Sequence, residues 1–246
     1  MQEKPACIVL EKINHYFGDK QVLTDISLSV PCGKIYGLLG PSGCGKTTTV
    51  KIMAGILEAS SGAVHVLGEP MPSLQVMNRI GYEAQGDALY PLLTAEENLA
   101  FFAALYGLKK NKAKERIREV MALVNLSGHM SKTVMAYSGG MKRRLSLAMA
   151  MLHEPEVLIL DEPTVGIDPV LRNSIWESLY VLAEKGITIL ITTHVMDEAE
   201  KCHHLAMIRD GCLIAQGTPL ELRQGIGVSN IEEAFIYYGS GAENAD

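Results

Sequence analysis

The sequence predicts an α/β fold, a core of strands and helices interrupted by one long helical insert. Three observations carry this. An apolar run, Ile35-Tyr36-Gly37-Leu38-Leu39, leads into the loop Gly40-Pro41-Ser42-Gly43-Cys44-Gly45-Lys46-Thr47 and then a helical stretch, 48–56. A second apolar run, 157–160, has the length and composition of a parallel strand buried on both faces, and it ends in Asp161-Glu162. Between the two, residues 94 to about 152 read as helix, so the strand-and-helix rhythm stops and then resumes.

The elements follow in order. Ile8, Leu10 and Ile13, then Ile26, Leu28 and Val30, alternate in a β-like way and predict strands before the one at 35–39. Val64, Val66 and Leu67 predict another strand, and Ile80-Gly81-Tyr82 a short one. Thr94-Ala95-Glu96-Glu97 is a capping box that opens a helix over 95–106. The next helix, 113–124, gathers Ile117, Val120, Met121 and Val124 on one face; Lys109, Lys110, Lys112, Lys114, Arg116 and Arg118 make its solvated side. After Pro155 come the strand at 157–160, a helix from Asp168-Pro169 to Glu184, and a strand over 187–191. A short helix at 196–201 and strands at 205–208 and 213–215 precede a second capped start, Thr218-Pro219-Leu220-Glu221. A last helix over 231–238 leads into a polar tail expected to fray. The expected organisation is one domain over 1–246, with a core of 1–86 and 153–224, an insert at 87–152, and a C-terminal helix and tail at 225–246.

Composition narrows the classes. A net charge of −6 gives no basic footprint for nucleic acid. The five cysteines are odd in number and lack C-x-x-C spacing, which argues against a disulfide framework or zinc site and for a reducing cytoplasm. No apolar h-region follows the first residues, and no uncharged apolar run approaches the roughly 20 residues of a membrane span. Any membrane role is therefore expected to be peripheral.

The loop fits G-x-x-x-x-G-K-[ST] in the strand–loop–helix setting that this pattern requires. Its glycines let backbone N–H groups turn inward, and the helix dipole adds positive charge, so residues 40–48 (Thr48 included) form a socket for a nucleoside triphosphate. Lys46 is expected to reach the β- and γ-phosphates and Thr47 to hold Mg²⁺. Asp161, at the end of an apolar strand, is placed to ligate the metal, and Glu162 to orient or deprotonate an attacking water. Cys44, inside the loop, reads either as a small filler or as a thiol whose alkylation would block nucleotide.

Between these two motifs stands Tyr137-Ser138-Gly139-Gly140-Met141, before a helical run containing Arg143 and Arg144. This resembles the signature motif of ABC-type ATPases. Gln85 resembles that family's Q-loop glutamine, Gly166-Ile167-Asp168 its D-loop, and His194 its switch histidine. Phe17, with Tyr16 as the alternative, resembles the aromatic that stacks on adenine. The resemblance covers about residues 7–224. It implies a P-loop NTPase core of the ABC ATPase type with an antiparallel β portion and a helical subdomain. It further implies ATP and Mg²⁺ as cofactors, Gln85 beside the metal, and Asp168 with Ser138, Gly139 and Gly140 at the nucleotide.

One chain already fills its own phosphate loop with Lys46, so the signature is expected to act on the γ-phosphate of a second chain, in a homodimer or with a second ABC ATPase subunit. An integral membrane permease subunit is the implied partner, met on the cytoplasmic face of the cell membrane. Leu89, Tyr90, Leu92 and Leu93 are candidates to receive it or to fill the insert's core. Phrases such as 89–94 and 164–169 look most like the branch exporting drugs, lipids or polysaccharides. The signature departs from Leu-Ser-Gly-Gly-Gln at both ends, and Glu83-Ala84 replaces the usual apolar-Pro pair, yet no catalytic group is lost. Two other classes stay open at this point: a soluble ABC ATPase acting on ribosomes or nucleic acid, and a nucleotide switch without transport. Partner identification separates the first, and phosphate release the second.

Overall fold

The computed structural model describes residues 6–84, 86 and 88–240. Two sheets organise them. The smaller is antiparallel, in the order β2 (Lys20–Pro31), β1 (Ala6–Phe17), β4 (Ser61–Val66), β5 (Glu69–Pro70). The larger is mixed, in the order β10 (Cys212–Gly217), β9 (His204–Arg209), β3 (Ile35–Leu39), β8 (Thr188–Thr193), β7 (Val157–Asp161), β6 (Ile80–Glu83). All its neighbours pair in parallel except β9 with β10.

The central strands β3, β7 and β8 are buried on both faces, and they are apolar apart from Asp161 and the threonines of β8. Ile35, Leu39, Leu158, Leu160, Ile189 and Ile191 enter one core with the helical insert and α6 (Pro169–Glu184). The alternate residues Tyr36, Leu38, Val157, Ile159 and Leu190 enter a second core with the antiparallel sheet and α1 (Lys46–Met53). The phosphate loop leaves β3 near the middle of this sheet, and the acids leave the neighbouring end of β7.

The insert contributes α3 (Ala95–Leu105), α4 (Lys110–Leu123) and α5 (Gly139–Ala150). The capping box at Thr94–Glu97 is made in full, and so is that of Thr218 and Glu221. Beyond the insert lie the short α7 (Met196–Ala199), α8 (Pro219–Gln224) and α9 (Ile231–Ser240).

Several boundaries differ from expectation. Helix α1 begins at Lys46 rather than 48, because Gly45 is its N-cap, and it ends at Met53 before Gly55 at φ 73°. Helix α4 starts at Lys110, drawing the lysine run into its first turn. The strand expected over 187–191 is displaced to Thr188–Thr193, where it pairs along the whole of β3. Leu67 is not strand; it turns the chain at φ 53°. Strand β5 and the short helix α2 (Leu74–Met77) are additional, too brief for a periodic signal. The first five residues and the polar tail lie outside the described residues, as does Gln85.

Candidate nucleotide site

The site is built at the C-terminal ends of β3, β7 and β8. Its floor is the start of α1. Gly45 sits at φ 107°, a conformation that an L side chain rarely adopts, and an added Cβ would fall 2.6 Å from Leu23. No side chain caps α1 and its first turn holds no acid, so its leading N–H groups and positive dipole face the loop. Ser42, Gly43, Gly45, Lys46, Thr47, Thr48, Val22 and Glu162 line an open cleft of 420 Å³ there. Gly40 and Pro41 serve the loop differently, their carbonyls accepting from Lys46 Nζ at 2.7 and 3.0 Å.

The acids stand opposite. Asp161 is fully buried; its Oδ1 accepts a hydrogen bond from Thr192, while its Oδ2 has no partner among the described residues. The Thr192 hydroxyl in turn accepts from the Glu162 amide at 2.9 Å. Glu162 adopts φ 54°, a left-handed conformation that costs a non-glycine residue roughly 1–3 kcal/mol. Its Oε1 lies 3.8 Å from Lys46 Nζ and 3.2 Å from His194 Nδ1. The structure thus brings together Lys46, Asp161, Glu162 and His194 from three separate stretches of chain. A half-buried tyrosine borders them: burial, with the charge of Asp161, pushes the Tyr82 hydroxyl up to about 12.

At the hairpin that borders the cleft through Val22, Phe17 and Tyr16 are 53% and 45% exposed, open to a flat ligand. The ring of Phe17 is seated edge-on against buried His15 at 4.6 Å. Ser138 caps α5, accepting from the Met141 amide at 3.3 Å, and Ser138 and Gly139 are exposed. Among the described residues no hydrogen bond joins Ser138, Gly139 or Gly140 to the phosphate loop. The motif's two departures have local reasons. The Tyr137 hydroxyl donates to the His129 carbonyl at 2.7 Å, and Met141 packs on the apolar core. Asp168 caps α6, accepting from the Leu171 amide at 3.0 Å.

Sequence reasoning missed two residues. Glu198, 2% exposed, accepts hydrogen bonds from Thr164 and Thr193 and lies 3.7 Å from Arg172, so it ties the 164–168 segment to the strand end before His194. Arg143 reaches four main-chain carbonyls around Asp161 and Ala84. Neither had a sequence signal beyond a charge on a helix.

Cys44 is a filler, buried behind the loop, and burial raises its thiol against the lowering influence of Lys46. Only the thiolate reacts, so maleimide should label Cys44 slowly at pH 7 and faster as the pH rises, with ATP slowing it further. Rapid labelling at pH 7, read by mass spectrometry of the loop peptide, would contradict this.

The fold and cleft define a phosphate-loop nucleotide-binding protein with two acids beside the loop. Residues 23–165 match the family described as ABC transporter. The chain is 42% identical over 231 residues to Nod factor export ATP-binding protein I of Burkholderia orbicola (strain AU 1054), covering 92% of this chain and 76% of that protein. It is 41% identical over 237 residues to the linearmycin resistance ATP-binding protein LnrL of Bacillus subtilis (strain 168), with the same coverage of 92% and 76%. A solved ATP-binding subunit of an ABC transporter superposes with a TM-score of 0.86 at 27% identity, covering 95% of this chain and 99% of that one. The cbiO1 structure from Clostridium perfringens, part of the transporter complex cbiONQ, gives 0.82 at 28%, covering 90% and 92%. The chain belongs to the ABC transporter family, as an ATP-binding subunit whose ATPase activity powers transport.

Proposed function

We propose that this chain closes head to tail on a second ATPase chain around two ATP molecules and drives export through a separate membrane permease. The observation that carries the catalytic part is the Glu162 carboxylate, held between Lys46 and His194 at the mouth of the phosphate loop. Glu162 takes the proton of the attacking water, and His194 holds the γ-phosphate side of the site. Lys46 and the α1 amides bind the phosphates, while Phe17 stacks on adenine, a contact of ~1–3 kcal/mol.

Thr47, Asp161 and Gln85 are the residues that would hold Mg²⁺. The bare, buried Oδ2 of Asp161 fits that assignment, since a hard cation takes oxygen ligands. When bound, the ion neutralises charge on the β- and γ-phosphate oxygens. The exposed Ser138-Gly139 start of α5, uncommitted to its own loop, supports use of the signature on the other chain's nucleotide. ATP favours the closed pair because it touches both chains only there.

The direction of transport rests on the relatives named for Nod factor export and linearmycin resistance. Among the described residues no helix is long and apolar enough to cross a membrane. We take the permease as a separate chain or segment, met from the cytoplasmic face. Tyr90, Leu92, Phe101 and Leu105 expose apolar surface on the insert and are the proposed contact; Leu89 and Leu93 are half-buried beneath. Affinity capture of this protein from gently solubilised membranes should recover a multi-spanning protein together with one or two kinds of ATPase chain. Recovery of ribosomal or other soluble partners alone would overturn the transport reading.

A further inference from the structure

We propose that Arg143 is a positioning residue that holds the Glu162 peptide of its own chain and ties it to the helix that meets the second nucleotide. The inference rests on the two-chain site proposed above. Arg143 lies in the second turn of α5, the helix that Ser138 caps. Its Nη2 donates to the carbonyls of Asp161 at 2.8 Å and Glu162 at 2.9 Å. Nε donates to the Pro163 carbonyl at 3.1 Å, and Nη1 to the Ala84 carbonyl at 3.0 Å. Nε also lies 3.1 Å from the Glu83 carboxylate, itself 2% exposed.

A single planar cation therefore joins three stretches: the signature helix, the end of β7 that carries both acids, and the end of β6 just before Gln85. A surface ion pair does not look like this. The acceptors are main-chain carbonyls at fixed angles, which a guanidinium matches and an ammonium cannot. Glu83 supplies the countercharge that lets the guanidinium be buried, which gives the unusual acid at that position a purpose. The peptide so gripped is the one whose left-handed backbone aims the Glu162 carboxylate. Engagement of Ser138 by the other chain's nucleotide moves α5, and Arg143 passes that movement to the base. One nucleotide site thereby reports its occupancy to the other.

The test uses the full chain with Mg-ATP. Arg143→Lys should lower kcat by about ten- to a hundredfold, the scale of a small misplacement of a reacting group. The Kd for ATP should stay within about threefold of the parent, and amide exchange should rise in the 161–165 peptide. A kcat within about twofold of the parent, or equal losses of turnover and ATP affinity, would overturn the proposal. If Arg143→Lys fails to fold, Glu83→Gln decides: it should lower kcat in the same sense without weakening ATP binding, and a parental kcat in it overturns the proposal.

Placement gives a sharper reading. In mixed dimers of a Ser138→Arg chain with a Lys46→Ala chain, the one intact site uses the phosphate loop of the first. Arg143→Lys added to that first chain should reduce turnover at least about fivefold more than when added to the second. Equal or reversed effects would assign Arg143 to the signature face and sink the link to Glu162. Mixed dimers inactive before any change at Arg143 would count against the two-chain reading, and the split between kcat and Kd would still judge Arg143.

Discussion

Replacing Glu162 with Gln should lower ATP turnover by about 10²- to 10⁴-fold while ATP binding survives. The amide keeps the size of the carboxylate but cannot accept the proton of the attacking water. The groups that bind phosphate are untouched: Lys46 keeps its bonds to the Gly40 and Pro41 carbonyls, and the open start of α1 is unchanged. The substitution also removes the negative charge 3.8 Å from Lys46, which frees that cation for the γ-phosphate. Bound, unhydrolysed ATP should hold two chains together, so the variant should run as a dimer on gel filtration with ATP and Mg²⁺. Parental turnover in Glu162→Gln would remove Glu162 from the catalytic role. Loss of ATP binding together with turnover would make it a structural acid.

The second large effect concerns assembly. Ser138→Arg and Lys46→Ala should each abolish turnover in a uniform population, yet an equal mixture should regain about one active site per mixed dimer. The long cation of Ser138→Arg blocks the exposed cap of α5. Lys46→Ala removes the buried cation at the other end of the site. In a head-to-tail pair the two lesions fall in one composite site and leave the other whole. Phosphate release from the mixture, set against each variant alone, reads the result directly. A mixture as inactive as its components would mean that signature and phosphate loop do not meet across chains.

What the sequence made legible was what local chemistry encodes. The phosphate loop, the acid-ended strand and the capping boxes of Thr94 and Thr218 are short patterns whose meaning lies in their own few residues. The paired sheets were partly legible, because β3, β7 and β8 carry unbroken apolar runs, which must be buried on both faces. The hidden parts depend on distance along the chain. Arg143 donates to carbonyls 18 to 59 positions away, and Glu198 meets Thr164 34 positions away. Nothing local distinguishes these two from ordinary helix-surface charges. The left-handed turn at Glu162 was equally invisible, since a glutamate carries no preference for it, and the bonds that its amide donates to Thr192 and its carbonyl accepts from Arg143 help hold it there.

Helix α5 runs beside β6, an edge strand, and is fastened there near both ends. Arg143 grips Glu83 and Ala84 at the start, and near the finish the Ala150 carbonyl lies so close to Gly81 that a Cβ there would come within 2.2 Å of it. A rod pinned at two points along an edge is a hinge pin. Such fastening resists sliding or tilting of the helix along the strand. The rest of the insert, α3 and α4, packs against α5, with Phe101 exposed on α3. The closeness of that fastening is set by a glycine with no room for a methyl group.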